Sequence, residues 1–419
     1  MVLGKGEVRK MASWAGAALA LGVGPVHMAQ AQTFARPSAT PATDDNHANI
    51  EFGTDVRYDS NVAHTSAAGA ALRHIVPADE RVSPDLTLDV QRLAGTSKFN
   101  LQGDGSYDFY RRNGRLNRER ISITPSAALK LSICDVTVTG GYARNQTDLA
   151  NIASTTASQS LITNVESKFS GGAEMACGNE IGLRPMAGAN MEHATNSAVL
   201  RQDVDRNTIT YSAGLSYVHP AVGTLMAFAS SRQMLFTNVF LADGAHNGYT
   251  IKSLGGRFTR NTGARLRGWV EVTYVELDPR QSLNRRFSGL NWSADLGLDV
   301  SSRMQAHAQY SREISSGAVA DATYHIDTSY GLDAKYALSG RLQLTLNGLI
   351  MPRTFSGSQG AVGIALTSDR LYSGSATLKF VESERLQFSL GASYDQRKAN
   401  ASFYNYQSIS VQTGVSLKL

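Results

Sequence analysis

The sequence predicts an all-β protein, a transmembrane antiparallel β-barrel of about 18 strands with short periplasmic turns and long extracellular loops. Three observations predict it. From His47 to Leu419, stretch after stretch alternates apolar and polar residues, the period-two mark of a strand with one apolar and one polar face. The links between these stretches alternate between short and long. An export leader opens the chain, and no later run reaches the ~20 apolar residues that a membrane helix needs.

The leader is residues 1–31. Lys5, Arg9 and Lys10 form its basic start, Ala15–Val23 its apolar middle, and Ala29-Gln30-Ala31 the small-x-small site after which cleavage leaves Gln32 first. Residues 32–46, with Pro37 and Pro41, read as a flexible periplasmic linker. Residues 47–419 form the barrel. Cleavage removes three basic residues and one acidic (Glu7), so 40 basic and 35 acidic residues become 37 and 34, a balance of +3. That is too mild, and too scattered, to indicate a nucleic-acid partner.

The strands are predicted in order. His47–Asn61 sets Ile50, Phe52, Val56 and Tyr58 outward against Glu51, Asp55, Arg57 and Asp59 inward. Arg81–Leu93 and Ser97–Arg111 turn Asp85, Asp89, Lys98, Asp104 and Asp108 inward, with Phe99, Leu101, Tyr107 and Phe109 opposite. Glu119–Leu131 faces Ile121, Ile123 and Leu129 outward. Pro125 on that face, and Pro185 later, each remove a ladder donor, so bulges are expected there. Asp135–Thr147, Ser160–Met175 and Glu180–Glu192 follow, with Arg184 inward. Asn207–Val218 carries Ile209, Tyr211, Leu215 and Tyr217 outward. Gly223–Leu235 and Tyr249–Arg260 fit neither register cleanly, and Lys252 faces lipid unless its strand is bulged.

Ala264–Leu277 points Arg265, Arg267, Trp269 and Glu271 inward. Phe287–Val300 sets Leu290, Trp292, Leu296 and Leu298 against Asp295 and Asp299. Arg303–Ile314 and Thr323–Leu338 contribute His307, His325, Asp327, Asp333 and Lys335 to the interior, the two histidines about three residues apart along the barrel. Arg341–Phe355, Asp369–Val381 and Arg385–Gln396 continue the pattern with Leu342, Leu344, Leu346 and Ile350, then Leu386, Phe388, Leu390 and Tyr394, outward. The final strand, Tyr404–Leu419, shares Ile409, Val411, Thr413, Val415, Leu417 and Leu419 on one face. A strand that ends the chain suits a sheet closing on itself. No helix is predicted.

Short links fall at Ala94–Thr96, Ser132–Cys134, Ala176–Asn179, His219–Val222, Asn261–Gly263, Ser301-Ser302, Ser339-Gly340 and Glu382–Glu384. Long ones include Val62–Glu80, Asp148–Gln159, Ala194–Arg206 and Ser356–Ser368. The outward faces are nearly free of charge, as they must be when a charge against lipid at mid-membrane costs about 2–4 kcal/mol. Tyrosines gather near strand ends, where an interfacial belt belongs. A soluble sandwich or β-helix also alternates, but without this regular exchange of short and long links.

No catalytic motif is present: no G-x-S-x-G elbow, no H-E-x-x-H and no phosphate-cradling loop. No metal site and no cofactor are expected. The candidate functional residues are therefore the lumen-lining set, Glu51, Asp55, Arg57, Asp59, Asp85, Asp89, Asp104, Asp108, Arg267, Trp269, Glu271, Asp295, Asp299 and Asp333, since rings of such side chains tune which solutes pass. Trp269 suits stacking on a sugar ring or packing against an inward-folded loop. Cys134 immediately precedes one predicted strand and Cys177, in the short link Ala176–Asn179, shortly follows its antiparallel neighbour, so a disulfide between them is expected in the oxidising periplasm.

Arg57–Val62 reads R-Y-D-S-N-V, shortly after the leader and polar linker, and strands then run to the last residue. On these features the chain resembles the type-2 family of outer-membrane β-barrel porins. It departs in ending on Leu419, where such barrels commonly end on an aromatic residue. The resemblance implies an association with exopolysaccharide secretion. The expected function is passive passage of polar solutes across the Gram-negative outer membrane, polysaccharide export foremost. The alternatives are nutrient uptake, or a surface receptor or adhesin with a plugged lumen. Expected partners are outer-membrane lipid, the barrel-assembly machinery, and a polysaccharide with its export proteins.

Overall fold

A computed structural model describes residues 46–147, 163–260, 265–281, 286–316, 324–356 and 366–419. The leader with its cleavage site, the linker up to residue 45 and the expected link at Asn261–Gly263 lie outside these residues.

The chain forms one closed sheet of 18 strands. The first nine are β1 (His47–Asp59), β2 (Asp79–Ala94), β3 (Ser97–Tyr110), β4 (Arg118–Leu131), β5 (Cys134–Gln146), β6 (Val165–Cys177), β7 (Gly182–Asn196), β8 (Arg206–His219) and β9 (Gly223–Phe240). The second nine are β10 (His246–Arg260), β11 (Leu266–Pro279), β12 (Phe287–Ser301), β13 (Met304–Ser316), β14 (Tyr324–Ala337), β15 (Leu342–Ser356), β16 (Ser368–Val381), β17 (Leu386–Ala399) and β18 (Tyr406–Lys418). Each pairs antiparallel with its neighbour in sequence, and β1 pairs with β18 from Glu51↔Lys418 to Asp59↔Ser410. Closure leaves no strand edge exposed, which is the condition for placing a sheet in lipid.

The short turns share one end, the periplasmic one. Between β2 and β3 the chain reverses through Gly95 at φ +61°, a left-handed value that glycine adopts without a Cβ penalty. At the other end the longer connections fold on themselves. The first holds a helix, α1 (Ala67–Leu72), where no helix was expected. Ser66 caps it by accepting from the Gly69 N–H at 3.2 Å, and its alanines favour the helix. It is too short to stand out against the strand pattern.

The prolines do not produce the expected bulges. Leu101↔Pro125 and Pro185↔Leu215 sit in unbroken registers. On the β4–β5 side the ladder omits Pro125 but resumes in the same register, Ile123↔Tyr142 before it and Ser126↔Thr139 after. A missing donor can drop a bond without needing an extra residue. The register shifts occur instead at His246/Gly248 against β9 and at Asp299/Ser301 against β13.

Outward residues are apolar and uncovered by protein, with Phe52, Leu332 and Leu390 about half exposed or more. So much continuous apolar surface requires lipid. Toward the extracellular end this face carries an aromatic row. Trp292 stacks on Tyr310 with ring centroids 3.5 Å apart, and Tyr310 meets Tyr330 edge-on at 5.1 Å. Lys252 does face outward, without a bulge at that point. It lies directly opposite Glu276, one outward position beyond the Leu254↔Tyr274 pair, so it stands on the extracellular side of the aromatic belt.

One part of the wall leaves the cylinder. The β12–β13 ladder stops at Ser293↔Ser311, although β12 continues to pair with β11 as far as Phe287 and β13 runs on to Ser316. Ile314 and Tyr324 belong by parity to the outer face, yet both are buried with Met234, Tyr249, Ile251 and Leu277 of the inner face of β9–β11. Arg232 of β9 donates from Nη2 to the Ile314 carbonyl at 3.3 Å. The free end of the β13–β14 hairpin therefore leans into the extracellular mouth, against the inner wall of β9–β11.

Candidate functional site

The lumen is built by the inward half of every strand, and cross-strand register decides which charges meet. On β1–β4, Arg57↔Arg81 places two guanidinium groups side by side. Each turns to a nearby acid rather than to its direct partner: Arg81 to Asp55 at 3.2 Å and to Asp108 at 3.6 Å, Arg57 to Asp59 at 3.5 Å. Arg120 reaches the other oxygen of Asp108 at 3.1 Å, and the Ser83 hydroxyl donates to the same carboxylate at 2.6 Å. Ser408 donates to Asp59 across the β1–β18 seam.

Other sectors repeat the device. Arg206 of β8 lies 3.3 Å from both Glu166 and Glu192. Arg257 of β10 grips Glu271 of β11 at 2.7 Å. Arg267 holds Asp299 through two bonds, 2.9 and 3.0 Å. His307 bridges Asp295 at 2.7 Å and Asp333 at 3.3 Å. At the mouth, Asp369 binds Arg353 and Arg397 together, the three side chains almost wholly enclosed.

All the sequence-predicted lumen residues lie on the inward side of their strands, but they do not form one site. Near the extracellular end Asp55 and Asp108 share Arg81, and Arg57 and Asp59 pair beside them; all four are buried. Asp89 meets His47 at 3.2 Å near the periplasmic end. Asp85 lies over Gly53, its register partner, which has no side chain to keep it away. Glu51 sits opposite Lys418 at the seam, and Asp104 opposite Thr87 and Ser122.

Trp269 is buried, with the Arg257 guanidinium 5.6 Å from its ring, so the cation that binds Glu271 also lies against its face. The histidines are further apart than expected. His307 pairs with Asp333 and His325 with Ser315, eight residues along β13. The link between these strands hides its length in the sequence, and an error there displaces the whole register.

Sequence reasoning missed most of the bases, Arg81, Arg206, Arg257, Arg353 and Arg397, and the acid Asp369. Alternation alone would have set them inward; only the register says which acid each one meets. Between the ion pairs the lumen carries hydroxyls and amides, among them Thr87, Gln102, Thr124, Thr210, Ser375 and Gln412, inward by the same registers. Cys134 and Cys177 are register partners with Cα atoms 3.9 Å apart and are joined by a disulfide at the periplasmic end.

A closed barrel with an apolar outer sheath, an interfacial aromatic row and a hydrophilic interior defines an outer-membrane porin. The family described as "Putative beta-barrel porin 2" matches residues 48–419, and the chain belongs to it. Comparison with curated proteins gave no significant match. Among solved structures, the chain is similar to OccAB3 of Acinetobacter baumannii, at 12% identity and TM-score 0.43 over 89% of this chain and 99% of that one. It is similar to OccK2 (OpdF) of Pseudomonas aeruginosa, at 12% identity and TM-score 0.45 over 90% and 98%. The ferric-catecholate import receptor Fiu of E. coli K12 matches at 9% identity and TM-score 0.41 over 90% and 82%.

Proposed function

We propose that this porin passes neutral, hydroxyl-rich solutes, saccharides foremost, by passive diffusion. The observation that carries this reading is the pairing of charges in the lumen. Asp55, Asp108, Glu192, Glu271, Asp299 and Asp369 each face an arginine within 3.6 Å. Paired charges cancel at a distance, so the wall selects weakly by ionic sign, while the hydroxyl and amide groups between them can exchange hydrogen bonds with a sugar. Export of a secreted polysaccharide is the direction that the family resemblance favours.

A second reading, uptake of small saccharides, is favoured by the hairpin end at the extracellular mouth, which narrows entry from outside. Liposome swelling tests the function itself. Vesicles containing the porin should swell in isosmotic neutral mono- and disaccharide faster than protein-free vesicles, with little preference between cationic and anionic solutes of equal size. No swelling in any solute would replace the pore with a plugged scaffold. Swelling that stops above disaccharide size would favour uptake over polymer export.

A further inference from the structure

Where the β13–β14 hairpin leans inward, it leaves a hollow on the outside of the barrel. This cavity, of about 400 Å³, is lined by Tyr310, Arg312, Ile326, Thr328, Tyr330 and Pro352, with Thr354 beside them. All belong by parity to the outer face of β13, β14 and β15; Tyr330, half exposed on the lipid side, marks the side to which the hollow opens, while Ile326 also packs against the inner cluster of Ile314 and Tyr324 behind it. Its depth in the membrane is marked by the aromatic row of Trp292, Tyr310 and Tyr330. Arg312 is the next outward residue after Tyr310 toward the extracellular end, about 7 Å further along the strand. That is the level of lipid headgroups.

Arg312 also stands apart from the other arginines on the extracellular part of the outer face. Arg111 is held by Glu80 at 2.8 Å and Arg144 by Glu119 at 2.6 Å, while Arg370 donates to the Tyr372 hydroxyl at 3.3 Å. Among the described residues, Arg312 has neither a hydrogen bond nor an ion pair. A guanidinium with open donors, set in a concave site with tyrosine and threonine hydroxyls and apolar flanks, matches a phosphate monoester attached to a lipid.

We propose that this hollow binds the phosphorylated headgroup of an outer-leaflet lipid. Arg312 takes the phosphate, Thr328 and Thr354 offer further donors, and Ile326, Pro352 and the tyrosine rings contact the apolar part next to it. The site is independent of what passes through the lumen.

Native mass spectrometry of the full-length porin in detergent, titrated with diphosphorylated lipid A, tests this. Wild type should retain one tightly held lipid, and Arg312→Ala should weaken that retention about tenfold, the loss of a charge-assisted bidentate contact. Arg312→Lys should keep part of it, and Lys252→Ala, on another sector of the outer face, should keep all of it. Heat-dependent gel mobility checks that each variant is folded. Retention by Arg312→Ala equal to wild type would overturn the proposal, as would equal binding of dephosphorylated lipid A. Displacement by inorganic phosphate at the lipid's own concentration would make this a free-anion site and overturn it as well.

Discussion

Asp369 holds Arg353 by two parallel bonds, Nε to Oδ1 at 2.7 Å and Nη2 to Oδ2 at 2.6 Å, and neither side chain exposes more than 2% of its surface. The same carboxylate also takes Arg397 at 2.7 Å. The two cations are further covered by aromatic faces, Phe355 at 5.3 Å from Arg353 and Tyr404 at 5.3 Å from Arg397. Three strands, β15, β16 and β17, are thus tied together at the extracellular mouth.

Asp369→Ala should leave two buried guanidinium groups around an emptied position. Breaking a buried pair by removing one partner costs about 3–5 kcal/mol. Urea unfolding in detergent, followed by gel mobility, should show a loss of that size, whereas Glu80→Ala, which breaks an exposed pair, should change stability by under about 1 kcal/mol. Equal effects would remove the structural role given to Asp369.

The disulfide makes a separate prediction. Denatured, unreduced protein should expose no free thiol, because Cys134 and Cys177 are bonded. Cys134→Ser should lower stability by about 3–4 kcal/mol in the chain-entropy account of a closed loop. Two thiols per chain on labelling would contradict both the bond and the β5–β6 register.

How much of this was legible in the sequence depends on which physical constraint each feature obeys. The outer face was legible because lipid imposes one rule on every residue it touches: Leu342, Leu344, Leu346 and Ile350 could be placed from alternation alone. The acids of the lumen, such as Asp55 and Asp108, were legible as inward for the same reason. Their partners were not. Arg81 meets both because of a register set by turn geometry, and a shift of two residues would have given it other neighbours. Ile314 was illegible in another way. Parity sets it outward, and only the end of the β12–β13 ladder, a tertiary event, brings it inside. The contact between Trp269 and Arg257 was illegible because the two lie on neighbouring strands and only the register brings them together.

The position of Lys252 yields a third prediction. It faces outward opposite Glu276, beyond the level of Tyr274, so Lys252→Leu should change stability little. Val272 is the next outward residue below Tyr274 and stands within the apolar sheath. Val272→Lys, which puts a charge inside the apolar sheath, should destabilise more than Lys252→Leu, by a cost that rises toward about 2–4 kcal/mol for a charge at mid-membrane. Unfolding from lipid vesicles measures both, and a large penalty at Lys252 with none at Val272 would displace the membrane boundary.

Charge pairing in the lumen makes a fourth. Arg267 and Asp299 neutralise each other at 2.9 Å. Arg267→Gln leaves the carboxylate alone and should draw the channel's reversal potential toward cations, while Asp299→Asn should move it toward anions. Planar-bilayer recording in a salt gradient reads both signs. Shifts in the same direction would mean that this pair does not face the permeating ions.

The last prediction concerns the hairpin end at the mouth. Ile314 and Tyr324 hold it against β9–β11 by burial among Met234, Tyr249, Ile251 and Leu277, and one hydrogen bond, from Arg232, reinforces the contact. Truncating a buried isoleucine typically costs about 2–5 kcal/mol, but here part of the structure can relax by letting the hairpin leave its seat. Ile314→Ala should therefore stabilise an outward position of the hairpin more than it destabilises the barrel, whose ladders below Ser311 are untouched. Single-channel conductance should rise and fluctuate between two levels, with the heat stability of the barrel nearly unchanged. Arg232→Met should act in the same direction, because it removes the bond to the Ile314 carbonyl without altering that strand. Lower stability with unchanged conductance would mean that the hairpin end supports the wall and does not narrow the passage.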